Sequence, residues 1–200
     1  MTGVTVAYFD GLGKAEVIRV LLTYLNVEFK DVRFEEIPDE IRAKCSFGQV
    51  PYYEDSEVGS LVETNAIVRY IAAKYNIAGK DLVEKAKIDS IYESTDDVHV
   101  LHYQANKKGD EAEKERVRTV AIPKFFAAWE KLLSQSSTKF FFGDSITLAD
   151  IAVFRVIGHV ALFGYKVSTT PYPKLDALVN HIGSLPQIAK YISARKASTF

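Results

Sequence analysis

At 200 residues, 48% of them apolar, the chain is long enough for one large domain or two small ones with real cores. A formal net charge of −1 excludes a field that would draw nucleic acid or an anionic membrane surface. The single cysteine, Cys45, excludes an internal disulfide framework and a thiolate-rich metal site; no apolar run reaches spanning length, and Tyr8-Phe9-Asp10 comes too early for a signal peptide's apolar core, so a reducing cytoplasm is the expected location.

Thr5 to Phe9 is β-rich and leads into a turn, Asp10-Gly11-Leu12-Gly13. Lys14 to Tyr24 reads as a helix with Val17, Val20, Leu21 and Tyr24 on one face. Phe29 to Phe34 alternates, so strand, helix and strand point to a parallel pair with a crossover helix. Ile37 to Ser46 is a polar connection with room for one helical turn. Val50 to Glu54 and Gly59 to Val62 are expected to form a hairpin around Asp55–Glu57, followed by a helix over Asn65–Tyr75. The first part is therefore a small α/β sandwich.

Asn76–Asp81 carries Gly79 and no strand pattern, and beyond it only helical patterns remain. Two long helices are expected over Leu82–Asn106 and Glu115–Gln135, separated by a charged loop, Lys107–Lys114. Thr147 and Asp150 have the spacing of a capping box, with Asp in place of the usual Glu or Gln. The helix they open, Leu148–Phe163, is nearly all apolar and should be a buried centre. Shorter helices are expected over Lys174–Ile182 and Pro186–Ala194. The expected division is an α/β domain at residues 1–78, a linker at 79–82 and an all-helical domain at 83–200.

Val50 precedes Pro51 and is held extended, because the proline ring clashes with an α-region neighbour. Its backbone could pair with a peptide-like ligand as an added strand. Glu63-Thr64 sits at a strand-to-helix junction, where a carboxylate, a hydroxyl and free helix N–H groups suit a ligand with an amino and a carboxylate end. Tyr8 ends a strand beside a glycine turn and a helix start, a good place for a hydroxyl to donate to an anion. A half-buried strand tyrosine, a solvated Lys14 and a plain Thr64 cap are the bland alternatives. Glu93, Asp96 and Asp97 share a helix face, where a cation or a hard divalent ion would offset their repulsion; an ordinary acidic surface is the even alternative. His99 and His102 lack a Cys or carboxylate ligand set at metal spacing and read as surface or cleft histidines, and Cys45 reads as an ordinary thiol.

Five stretches carry a resemblance: Tyr8–Arg19, Phe47-Gly48-Gln49-Val50-Pro51, Glu63–Tyr70, Thr95-Asp96-Asp97 and Gly143–Asp150. In this order and spacing the chain resembles the cytosolic glutathione transferases over essentially its whole length, and within them the sigma class, which includes glutathione-dependent prostaglandin D synthases. The resemblance implies a thioredoxin-like α/β domain followed by an all-helical domain, a homodimer, glutathione as co-substrate and no tightly bound cofactor. Tyr8 would donate to the glutathione sulfur and steady its thiolate. Val50 would pair with the cysteinyl backbone, beside Gln49 and Pro51. Glu63 and Thr64 would hold the γ-glutamyl end, with Asp97 reaching over from the other subunit; Arg42 would meet the glycine carboxylate, and the charge of Lys14, behind Tyr8, could favour the nearby thiolate. The acceptor would meet Leu12, Gly13, Tyr103, Gln104, Phe154 and Ile157 between the domains.

Three positions depart from the family pattern. Lys14 replaces an arginine and loses its planar fork. Pro38 replaces a tryptophan near the glycyl end. Glu63 replaces a glutamine and should pair better with an ammonium. The missing tryptophan, with Gln104 where a prostaglandin synthase would carry another, weakens the prostaglandin D isomerase reading, and Tyr8 with the intact glutathione residues argues against a non-catalytic glutathione-binding structural protein. The leading reading is conjugation of glutathione to small hydrophobic electrophiles (detoxification), with the isomerase, a peroxidase or such a structural protein as the alternatives.

Overall fold

The computed structural model describes residues 3–196. By packing they form two units, one running through Tyr75 together with the stretch from Pro186, the other Asn76–Leu185. The 79–82 linker expected from the sequence thus lies inside the second unit, and the last helix belongs with the first. No helix among the described residues is long and apolar enough to cross a membrane.

In the first unit, strands β1 (Val4–Phe9), β2 (Phe29–Phe34), β3 (Tyr52–Asp55) and β4 (Gly59–Val62) form one sheet in the order β2-β1-β3-β4. β1 and β2 are parallel, and β3 is antiparallel to both β1 and β4. The crossover between β1 and β2 is a 3-10 turn, Gly13–Ala15, running into α1 (Glu16–Tyr24). A short α2 (Asp39–Arg42) precedes β3, and α3 (Thr64–Lys74) follows β4. This β-α-β, β-β-α arrangement is the thioredoxin-like fold, as expected.

α1 buries Val17, Ile18, Val20, Leu21 and Leu22, each worth about 1.5–3 kcal/mol of apolar transfer. It is buried on more than one face because it packs against both α3 and α9 (Pro186–Ala194). Asp55 closes the hairpin: it accepts from the backbone N–H groups of Glu57 and Val58, from the Tyr53 and Tyr70 hydroxyls, and from Lys74 Nζ at 2.8 Å. Although burial opposes its charge, these donors hold its carboxyl well below the usual range. One carboxylate thereby ties β3 to α3. Cys45 packs in a small core with Ala7, Tyr52 and Val62, and burial pushes its thiol up, as befits an unreactive side chain.

The second unit is helical: α4 (Leu82–Lys108), α5 (Glu111–Arg116), a π turn (Val117–Ala121), α6 (Ile122–Gln135), α7 (Leu148–Leu162) and α8 (Pro173–Gly183). The charged loop expected over Lys107–Lys114 shrinks to Gly109-Asp110. Lys107 and Lys108 stay in α4, where cations favour a helix end. Gly109 takes φ 68°, and the Asp110 side chain caps α5 by accepting from Ala112 and Glu113. The π turn precedes Pro123, which has no N–H to offer the carbonyl of Thr119; a widened turn accommodates that gap.

The apolar α7 is buried along most of its length and packs on α4. Its capping box forms as the spacing implies: Asp150 accepts from the Thr147 N–H at 2.8 Å and hydroxyl at 2.7 Å, and also from the Phe141 N–H at 3.0 Å. Replacing Asp150 by alanine strands three buried donors and removes half the cap. An unfolding free energy lower by about 2–3 kcal/mol is expected in urea titrations. A change below about 0.5 kcal/mol would show that the box is dispensable.

His99 and His102 are not surface residues. Both are buried on α4, facing the buried His159 of α7. Burial, with the positive Arg155 nearby, pulls His102 down to about 4, so its ring is neutral at pH 7.

Candidate active site

The strand register brings together residues that the sequence singled out in different parts of the first unit. Ala7 pairs with Tyr52, and Tyr52 with Val62. One step further along each strand lie Tyr8, Pro51 and Glu63, so the three occupy one row at a single end of the sheet. Adjacent strands are about 4.8 Å apart, which makes the row about 10 Å wide.

Tyr8 is buried, and its hydroxyl accepts from the backbone N–H of Lys14 at 3.3 Å. The phenol lies against Gly13, which has φ 40°; a Cβ there would come within 2.7 Å of Tyr8 Oη. Only glycine meets both demands, so the Gly turn shapes the space around the hydroxyl. The Lys14 side chain is exposed.

The Val50-Pro51 bond is cis. The strand expected to start at Val50 begins instead at Tyr52, leaving half-buried Val50 just outside the ladder. Gln49 is exposed, as is Arg42 at the end of α2. Glu63 is exposed and holds φ 73°, ψ 112° as the N-cap of α3. A non-glycine residue in that region stores of order 1–3 kcal/mol, and such strain gathers at ligand sites. Thr64 Oγ1 beside it is buried and has no hydrogen-bond partner. An orphaned hydroxyl at a helix N-terminus, next to an exposed carboxylate, fits a ligand end carrying both charges.

Sequence reasoning missed what holds the Gly turn in place. Arg19 is fully buried; its Nη1 donates to the carbonyl of Gly11 at 2.8 Å and, at 3.4 Å, to that of Leu12, while its Nε donates to Asp31 at 3.0 Å. Glu16, also buried, lies 3.7 Å from Arg19 Nη1 and accepts from Tyr191 Oη at 2.8 Å and Arg195 Nη1 at 2.9 Å. Burial and the Glu16 carboxylate push the Tyr191 phenol well up, so it stays a donor. The available signal was two charged residues three apart on the buried face of an otherwise apolar helix.

In the helical unit, Asp97 is exposed on α4, as are Tyr103 and Gln104; on α7, Phe154 is half-buried. Ile157 is buried there, and Leu12 is buried in the first unit. Among the described residues, the side chains that converge at metal-ligand distances are His99, His102 and His159; Glu93, Asp96 and Asp97 do not form such a group.

Residues 4–73 match the glutathione S-transferase N-terminal domain and residues 94–195 the glutathione S-transferase C-terminal domain. A Dictyostelium discoideum protein named putative glutathione S-transferase alpha-2 is 33% identical over 98% of this chain and 96% of its own. Rattus norvegicus glutathione S-transferase alpha-3 is 34% identical over 92% and 86%. Among solved structures, the Onchocerca volvulus Pi-class glutathione S-transferase superposes with a TM-score of 0.87 at 27% identity, covering 97% of this chain and 94% of that one. Rat hPGDS complexed with a quinoline gives 0.84 at 25% identity with both chains fully covered. On this evidence the chain belongs to the glutathione S-transferase family and is an enzyme of that family, with glutathione as its co-substrate.

Proposed function

We propose that the protein transfers the glutathione thiolate to small hydrophobic electrophiles, with Tyr8 as the residue that activates the sulfur. The observation that carries this reading is the row formed by Tyr8, Pro51 and Glu63 at one end of the sheet. An extended tripeptide is about 10 Å long, the width of that row. Laid along it, its γ-glutamyl ammonium meets Glu63 and its carboxylate meets Thr64 Oγ1 and the α3 N-terminus. Its cysteinyl backbone pairs with Val50, which brings the sulfur to the Tyr8 hydroxyl. Arg42 serves the glycyl end, and the charge of Lys14 favours the thiolate.

The phenol then turns its proton toward the sulfur, and a hydrogen bond to the charged form lowers the thiol pKa. The thiolate attacks the electrophilic carbon and the leaving group departs with the electron pair. Calorimetry with glutathione, followed by turnover of a chromogenic aryl halide, tests the reading: binding without turnover would overturn the conjugating role in favour of a glutathione-binding protein.

Gly13→Ala is a second test. The added Cβ would displace the Tyr8 phenol, and a misplacement of about 1 Å in a reacting group can cost as much as 100-fold. At least about a tenfold fall in kcat/KM is expected, and an unchanged rate would show that Tyr8 is not seated by this turn.

Within the family we read the motifs as nearest the sigma class. The full-length likeness to rat hPGDS supports that placement and keeps glutathione-dependent endoperoxide isomerisation as a second reading; the sequence relatives carry alpha-class names. Product analysis with a prostaglandin endoperoxide separates the two activities. We further propose a cytoplasmic homodimer in which Asp97 of the partner subunit completes the γ-glutamyl site. Phe47, 69% exposed in the segment before Val50, is an apolar side chain suited to docking on a second copy. Light scattering should give twice the chain mass.

A further inference from the structure

α4 and α7 bring three imidazoles together inside the helical unit. His99, His102 and His159 are each at most 6% exposed, and one ligand nitrogen from each lies within 4.8 Å of the others. The rings meet edge to face or tilted, with centroids 4.9–5.1 Å apart. His102 Nε2 and His99 Nδ1 are 3.4 Å apart. That is long for a hydrogen bond, yet it matches the edge of a tetrahedron built on metal–nitrogen bonds of about 2.05 Å, which is about 3.3 Å. His102 Nδ1 is buried with no partner.

From this juxtaposition we propose that His99, His102 and His159 form a binding site for a divalent transition-metal ion of nitrogen preference, zinc foremost. With all three ligand nitrogens within 4.8 Å of one another, closing the wider separations by at most about 1.5 Å gives three corners of a zinc tetrahedron. The fourth corner goes to a solvent ligand. Arg155, buried nearby, opposes added positive charge, which favours hydroxide or chloride in that position. The trio is built from a short-range pair, His99 and His102 three apart on one helix, and a distant residue on the helix packed against it. The ion would cross-link α4 to α7 and stabilise the helical unit; this role is independent of the glutathione site.

The test uses the full chain without an affinity tag. Cobalt(II) added to the wild type should develop the intense visible d–d bands of tetrahedral coordination, and zinc should abolish them by competition. X-ray absorption of the zinc-loaded protein should show imidazole nitrogens at about 2.0–2.1 Å. His159→Phe and His99→Gln should each remove the cobalt bands and weaken zinc binding by at least about 100-fold, with far-ultraviolet circular dichroism confirming that each variant is folded. The proposal is overturned if the wild type gives only weak octahedral cobalt bands, if the absorption spectrum shows oxygen ligands alone, or if both folded variants bind as the wild type does. The X-ray absorption result decides the matter even where a variant does not fold.

Discussion

Tyr8→Phe is expected to lower kcat/KM toward an aryl halide about 50-fold at pH 6.5 and less than about twofold at pH 9. If the Tyr8 hydrogen bond lowers a cysteine-like thiol from about 8.5 to about 6.5, roughly half of the bound glutathione is thiolate at pH 6.5 in the wild type. Without the hydroxyl the fraction is about one hundredth. Above both values the sulfur ionises unaided, so the gap closes as pH rises. The sign follows from which form is favoured: the lowered pKa gives its full fold advantage below the lower value, loses it progressively between the two and has none left above the higher one. The measurement is a pH–rate profile of both proteins at subsaturating glutathione. A deficit that stays constant from pH 6 to pH 9 would mean that Tyr8 acts on the acceptor rather than on the sulfur.

The second large effect is structural and reaches the site indirectly. Arg19→Met should destabilise the protein by about 3–5 kcal/mol, because it takes the Arg19 guanidinium from buried Glu16 and leaves the Gly11 carbonyl without the donor that ties it to α1. Glu16 keeps Tyr191 and Arg195, Asp31 keeps Arg33, and the Leu12 carbonyl keeps the Glu16 N–H at 3.0 Å, so the loss falls chiefly on the Gly11 carbonyl. Gly11 belongs to the turn that seats Tyr8. The folded fraction of Arg19→Met should therefore also show a lower kcat at saturating glutathione. Arg19→Lys restores charge without the fork and should recover stability more than rate. Urea titration and single-concentration kinetics check both. A stability change below about 1 kcal/mol would show that the buried network is not what holds this turn.

Much of the fold was legible from sequence because short-range physics dictates it. Alternation marked β2 at its observed bounds, Phe29–Phe34, and the spacing of Thr147 and Asp150 announced a cap that forms. The lysine-rich stretch after Asn106 misled: charge suggested a loop, whereas helix-end electrostatics and Gly109 carry the helix two residues further. Tyr8, Val50-Pro51 and Glu63-Thr64 stood out one by one because each lies where a strand ends.

Their chain positions and residue types were set by the sequence itself, through strand periodicity, proline's rigid ring and the glycine turn. Only the tertiary structure decided that they share one row, since register across three strands depends on pairings such as Thr5 with Glu54, far apart in the chain, that no local pattern encodes. The same holds for the clamp of Arg19 on the Gly turn and for His159 closing on His99 and His102. Each joins groups distant in sequence, and their partners become visible only once helices and strands have packed and desolvated them.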